Sequence, residues 1–211
     1  MSHHLIKVFD DEKLVEKIKR RLPYLFQLAE LESSRAGKTG MEMGSARERI
    51  IIALLIYKFG EANVETDIPI TEPEVDVKLF GEPVSIKTLT GKTLGGVKLI
   101  WTVDAEKAKE FQERYYPHCD ILLVQINWND VGGFYYIPLN VQKKLFDNIG
   151  RQNYIKLPKI GTNPRGVEIT KEALSSLLED PESKNISISW QRTKIEFNPY
   201  KKWVELWGED K

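Results

Sequence analysis

The chain has a single cysteine, Cys119, among its 211 residues. One thiol is expected to build neither a disulfide framework nor a thiolate zinc site, which makes a reducing cytoplasm the expected location. Net charge is absent as well, with 31 basic against 31 acidic side chains. That balance argues against a polycation that coats nucleic acid, but not against a locally basic groove. No apolar run approaches the roughly 20 residues that cross a bilayer. The opening residues MSHHLIKVFDDEK turn charged at once, so neither a membrane segment nor a secretion signal is expected. No linker and no internal repeat divides the sequence. A single domain over residues 1–211 is expected, long enough for a real hydrophobic core.

What is present is unevenly placed. Residues 83–103 contain no acid but hold Lys87, Lys92 and Lys98. Residues 148–167 contain none either and hold Arg151, Lys156, Lys159 and Arg165. Two acid-free basic stretches suit a phosphate-facing surface, and solvated loops would look the same.

Helical patterning covers residues 10–33, expected in two pieces because Pro23 can start a helix but not sit inside one. A polar, glycine-punctuated loop follows at 33–44. The next helix reads from Ser45 as N-cap, with Glu48 three residues on, through IIIALLIYKF to Gly60 as the stop. It is apolar nearly all round and is expected to be a buried central helix. Strand patterns then occupy 63–70, 74–79, 83–88 and 97–103. A helix capped by Asp104 runs to about 116, and 119–128 reads as a buried strand. Helix, three or four strands, helix, strand predicts an α/β core at about 45–128, with a mixed sheet flanked by helices. Residues 130–211 read as elaborations on the same body.

The chemistry-bearing segment is EVDVKLFGEPVSIKT, residues 74–88. Val75, Val77 and Leu79 alternate with Glu74, Asp76 and Lys78; Val84 and Ile86 alternate with Ser85 and Lys87. A two-residue turn at Gly81-Glu82, with glycine first as a type II′ turn wants, would set Lys78 opposite Ser85 and Asp76 opposite Lys87. The pair is then either a surface salt bridge worth roughly 0–1 kcal/mol or part of a larger site. Glu48 supplies a third group. Its carboxylate either closes a capping box on Ser45 or meets Asp76 where the apolar helix face ends. Two converging carboxylates repel unless a divalent cation lies between them, and oxygen donors of this kind suit Mg²⁺. Lys87 beside them would orient or deprotonate a water and stabilise charge on a phosphate. Metal, water and cation together describe a phosphodiester hydrolase.

This arrangement resembles the PD-(D/E)XK nuclease core. More narrowly it resembles the ThaI-like type II restriction endonucleases, which cut CGCG with blunt ends and take their active-site Glu from the helix ahead of the hairpin. The resemblance covers residues 38–128 and assigns Glu48, Asp76 and Lys87 as catalytic. It implies Asp76, Glu48 and the Ile86 carbonyl as Mg²⁺ ligands, with Glu74 as an outer carboxylate. The chain departs from the family's motif in two places: Val75 precedes Asp76 where proline is usual, and Ser85 stands two residues before the lysine where an acid is usual.

Met41 and Met43 lie in the polar loop before Glu48 as core fillers or as wedges between base pairs at easily unstacked steps such as CG. The resemblance favours Met41 as the intercalating methionine. Arg35, Lys38, Ser45 and Arg47 are candidate phosphate or minor-groove contacts. Arg165, in the loop GTNPRG, is a candidate guanine reader, with a surface or helix-cap contact as the alternative. Gly37-Lys38-Thr39 and Gly91-Lys92-Thr93 lack the upstream glycine of a nucleotide-binding loop, so no nucleotide cofactor is expected. His118-Cys119 has no partner at zinc-binding spacing. The sequence therefore predicts a homodimeric, Mg²⁺-dependent type II restriction endonuclease cutting duplex DNA at a short palindrome such as CGCG. Its rivals are a repair or junction nuclease and a DNA-binding relative that has lost cleavage.

Overall fold

The computed structural model describes residues 4–209 apart from 36–37, 40–42, 70, 73, 103 and 159–165, with side chains at 34, 35, 38, 39 and 202 excluded. Two helices open the chain, α1 (Ile6–Asp10) and α2 (Glu12–Ser33). The expected division of 10–33 at Pro23 is corrected: the break lies at Asp11, whose carboxylate accepts the Leu14 amide and pairs with Lys58 at 2.6 Å. α2 runs unbroken through Pro23. A proline inside a helix costs about 3 kcal/mol, and here it is offset by packing. Leu14, Ile18, Leu22 and Phe26 form a buried stripe at four-residue spacing, and Pro23 is itself buried beside it.

Short strands β1 (Ser34–Arg35) and β2 (Lys38–Thr39) pair antiparallel ahead of α3 (Met43–Phe59). α3 buries only the stripe Met43, Arg47, Ile51 and Leu55, while Ala53 and Tyr57 are exposed. The expectation of an all-round buried helix is thus corrected: α3 lies in an outer layer against α2 and the sheet. The strands β3 (Val64–Glu65), β4 (Val77–Leu79), β5 (Glu82–Thr90) and β6 (Lys98–Ile100) follow, then α4 (Ala105–Arg114). Asp104 caps α4 as expected, accepting the amides of Glu106 and Lys107. Next come β7 (Asp120–Ile126), β8 (Val131–Ile137), α5 (Leu139–Ile149), α6 (Arg151–Tyr154), β9 (Ile155–Lys156), β10 (Val167–Ile169), α7 (Lys171–Glu179), β11 (Lys184–Ser189) and α8 (Lys201–Trp207).

The main sheet has the order β11-β8-β7-β5-β4-β3. Only β5 and β7 run parallel; the other pairs are antiparallel, so the sheet is mixed. The crossover between the parallel strands carries β6 and α4, and β6 joins β10 and β9 in a smaller sheet. One core cluster gathers α1, α2 and α3 over Val84, Ile86, Leu122 and Val124. The second gathers α4, α5 and α7 over Ile121 and Leu123 on the other face. The period-two alternation of β5 and β7 is what separates the two clusters.

Candidate active site

The β4–β5 hairpin differs from its expected register by two residues. Val77 pairs with Val84, Lys78 with Pro83 and Leu79 with Glu82, so Phe80 and Gly81 form the turn. Both carry positive φ, 52° and 80°, as a type I′ turn requires and a II′ turn does not. Because side chains alternate with period two, a slip of two leaves every residue on its expected face. Asp76 and Lys87 are therefore diagonal rather than direct neighbours, and still meet: Lys87 Nζ lies 3.3 Å from Asp76 Oδ2. The same oxygen accepts the Ile86 amide at 2.6 Å and the Ser85 hydroxyl at 3.3 Å. Ser85, standing where the family's motif usually has an acid, is buried and donates to the Asp76 carboxylate instead of adding a second charge. All three bonds fall on Oδ2. Among the described residues none reaches Oδ1, which leaves that oxygen for a cation.

Glu48 enters from α3. The helix begins at Met43, so Ser45 lies within its first turn and is not its cap, which removes the capping-box reading of Glu48. Arg47 donates to the Thr90 hydroxyl at 3.1 Å, fixing the first turn of α3 over the end of β5. Glu48 follows directly. Burial and then the charge of Asp76 push its pKa up, while Lys87 pulls it back, so these three groups share one electrostatic neighbourhood. Glu74 joins them as a buried residue. Burial drives its pKa up to about 8 against the attraction of Lys87, which keeps it largely protonated at neutral pH. Three acids thus surround one lysine. Oxygen donors with surplus negative charge fit a hard divalent cation, and Asp76 and Glu48 would hold it.

A second grouping was missed by sequence spacing. One ligand atom each from Glu74, His118 and Cys119 lie within 4.8 Å of one another. His118 and Cys119 show no zinc pattern because their partner lies 44 positions upstream on another segment.

Several expected DNA contacts fall elsewhere. Arg47 is a correction: it is buried and its guanidinium binds Glu30 at 2.7 Å, so it braces α3 against α2 rather than facing a groove. Met43 is buried in the core, as one of its two readings required. Ser45 is exposed on the first turn of α3. Met41 and Arg165 lie outside the described residues, and the side chains of Arg35 and Lys38 are not described.

The profile of the family described as Restriction endonuclease ThaI matches residues 8–209. A solved structure described as "Restriction endonuclease in complex with substrate DNA" is 63% identical, covering 98% of this chain and 100% of that one, with a TM-score of 0.92. No curated protein matches. No helix among the described residues is long and apolar enough to cross a membrane. With its hairpin carboxylate, lysine and helix-borne glutamate on this fold, the chain belongs to the ThaI family of restriction endonucleases.

Proposed function

We propose that the chain is a cytoplasmic type II restriction endonuclease that hydrolyses duplex DNA at a short palindrome, CGCG, as a Mg²⁺-dependent homodimer. The whole chain acts as one nuclease unit. The observation that carries this reading is the asymmetry of Asp76: three protein hydrogen bonds converge on Oδ2 while no described residue bonds Oδ1, beside a glutamate whose charge is destabilised by burial and by Asp76.

In this reading Asp76, Glu48 and the Ile86 carbonyl hold Mg²⁺, which when bound supplies Lewis acidity to the scissile phosphate and acidifies a water. The chain's own groups do the rest. The Ile86 amide and Ser85 hydroxyl lock the Asp76 carboxylate in one orientation, so little reorganisation remains at the moment of reaction. Lys87, half-buried and anchored to Asp76, places an ammonium beside the reacting phosphate and stabilises the charge that develops as water bonds to phosphorus and a P–O ester bond breaks. Glu74, mostly neutral, adds no further repulsion toward the phosphate. Around this centre Arg35, Lys38 and Ser45 contact the DNA backbone, Met41 wedges into the base stack, and Arg165 reads guanine. The two-fold symmetry of a palindrome matches that of a dimer.

Digestion of plasmid DNA with Mg²⁺ tests the proposal. The expected result is a fixed ladder of fragments ending at CGCG, abolished by EDTA and by Asp76→Ala. Structure-dependent nicking without fixed ends would overturn the restriction assignment. Binding without cleavage would favour the inactive relative, for which Ser85 in place of an acid is the supporting feature. Met41→Ala is expected to weaken cognate binding more than non-cognate binding, and equal losses would remove the wedge.

A further inference from the structure

The grouping of Glu74, His118 and Cys119 uses neither Asp76 nor Glu48 as a ligand. It combines a thiol, an imidazole and a carboxyl whose ligand atoms lie within 4.8 Å of one another. A tetrahedron with bonds of about 2.0–2.3 Å, the lengths of Zn–O, Zn–N and Zn–S contacts, has edges of about 3.3–3.8 Å, so the three atoms would close in by about 1 Å on binding, a shift within reach of the exposed His118 ring. The donor set is also selective. A thiolate and an imidazole suit Zn²⁺ and other late first-row ions, whereas Mg²⁺ wants oxygen alone. Cys119 and Glu74 are buried while His118 is exposed, so two ligands are held by the fold and the third lies on the path from solvent.

We infer that Glu74, His118 and Cys119 form a binding site for a zinc-class ion, distinct from the catalytic Mg²⁺ site, with a fourth position open to water. Binding would release the thiol proton to solvent and tie the segment leading into β4 to the segment leading into β7. Glu74 lies two residues ahead of Asp76, and Cys119 directly precedes β7, the parallel neighbour of β5. The ion would therefore brace the hairpin that carries Asp76 and Lys87. This site does not depend on the nuclease reading, because its donors neither include Asp76 nor require DNA.

Co²⁺ is the probe. Metal-free protein titrated with Co²⁺ is expected to develop a thiolate-to-cobalt charge-transfer absorption that saturates at one equivalent, is erased by Zn²⁺, and survives excess Mg²⁺. Cys119→Ser should remove the band. Because Cys119 is buried and its replacement can disturb folding, His118→Ala provides the second arm at an exposed position. It should weaken Co²⁺ binding at least about 10-fold, in line with losses seen when a metal's supporting groups are removed. Asp76→Ala should leave the band in place, because Asp76 is not one of its ligands. No charge-transfer band in the wild-type protein, unchanged affinity in His118→Ala, or loss of the band in Asp76→Ala would each overturn the inference.

Discussion

Among the described residues, the Glu30 cluster and the hairpin cluster hold charge in buried or half-buried surroundings, and they are built on opposite rules. Around Glu30, on α2, the buried carboxylate is fully answered, and the second cation, Arg192, reaches solvent. Oε1 takes Arg47 at 2.7 Å and the Trp128 indole N–H at 2.9 Å, and Oε2 takes Arg192 at 2.7 Å. Arg192 also stacks over Trp128, its guanidinium carbon 4.2 Å from the ring centroid. Two cations face one anion, and the leftover donor is Arg47 Nε. At the hairpin, three acids face one lysine, and two of them have pKa values pushed up. Buried charge is tolerated when it is paired and hydrogen-bonded. The Glu30 cluster meets that rule within the chain. The hairpin cluster does not, and its deficit has the sign of a cation. Surplus negative charge, not burial as such, separates the candidate site from the Glu30 cluster.

The strongest way to break the comparison is to remove charge from each cluster and measure activity and stability together. Asp76→Asn keeps an acceptor for the Ile86 amide but removes the charge on Oδ1. It should reduce DNA cleavage by about 10⁴-fold, roughly 5.5 kcal/mol at 1.36 per decade, with little change in unfolding free energy. Glu48→Gln should reduce cleavage by about 10³-fold, roughly 4 kcal/mol. It should also raise the melting temperature in the absence of metal, because it removes a half-buried charge that Asp76 repels. A stability loss in either variant would mean that the hairpin acids are scaffold. Glu30→Ala should do the reverse. It strands Arg47 in the interior and is expected to cost about 3 kcal/mol in urea unfolding, while folded enzyme keeps its cleavage rate. A Glu30 variant of normal stability and lost activity would reverse the assignment of the two clusters.

The layout of the molecule was legible in the sequence wherever a local signal was sufficient. Alternation in residues 74–79 and 83–88 placed Asp76 and Lys87 on one face, and parity protected that reading even though the turn was assigned one residue late. Asp104 announced α4 because a cap acts on amides two and three residues away. Where the outcome depended on distant packing, the sequence was silent. Nothing local shows that Pro23 would be held inside α2 by the core beneath it. Nothing local shows that Arg47, one residue before Glu48, would turn inward to a glutamate on another helix. The Glu74, His118 and Cys119 cluster was hidden for the same reason: zinc spacing is read along the chain, and one of these ligands arrives from 44 residues away.

Asp120 sharpens the comparison as an intermediate case, a buried carboxylate with hydrogen bonds but no salt-bridge partner among the described residues. Its Oδ1 accepts the Leu139 amide at 2.7 Å and Oδ2 accepts the Tyr136 hydroxyl at 3.3 Å. The first bond satisfies an amide at the start of α5, where Pro138 offers no side-chain cap. Burial outweighs both bonds and raises the pKa from 3.8 to about 6. A carboxyl whose folded pKa lies above its unfolded value binds more protons in the native state between those two pH values. Its contribution to stability therefore falls as pH rises from about 4 to 6 and stays low above that. The span is at most about 3 kcal/mol and, with solvent relaxation around the ion, nearer 2. Asp120→Asn keeps an acceptor for Leu139 and cannot ionise. The difference in unfolding free energy between variant and wild type should therefore favour the variant at pH 7 and shrink by about 2 kcal/mol on going to pH 4. Urea titrations at several pH values read that difference directly, because groups common to both proteins cancel. A difference that stays constant with pH would mean that hydrogen bonds alone sustain a buried carboxylate, and that the imbalance at the hairpin need not call for a cation.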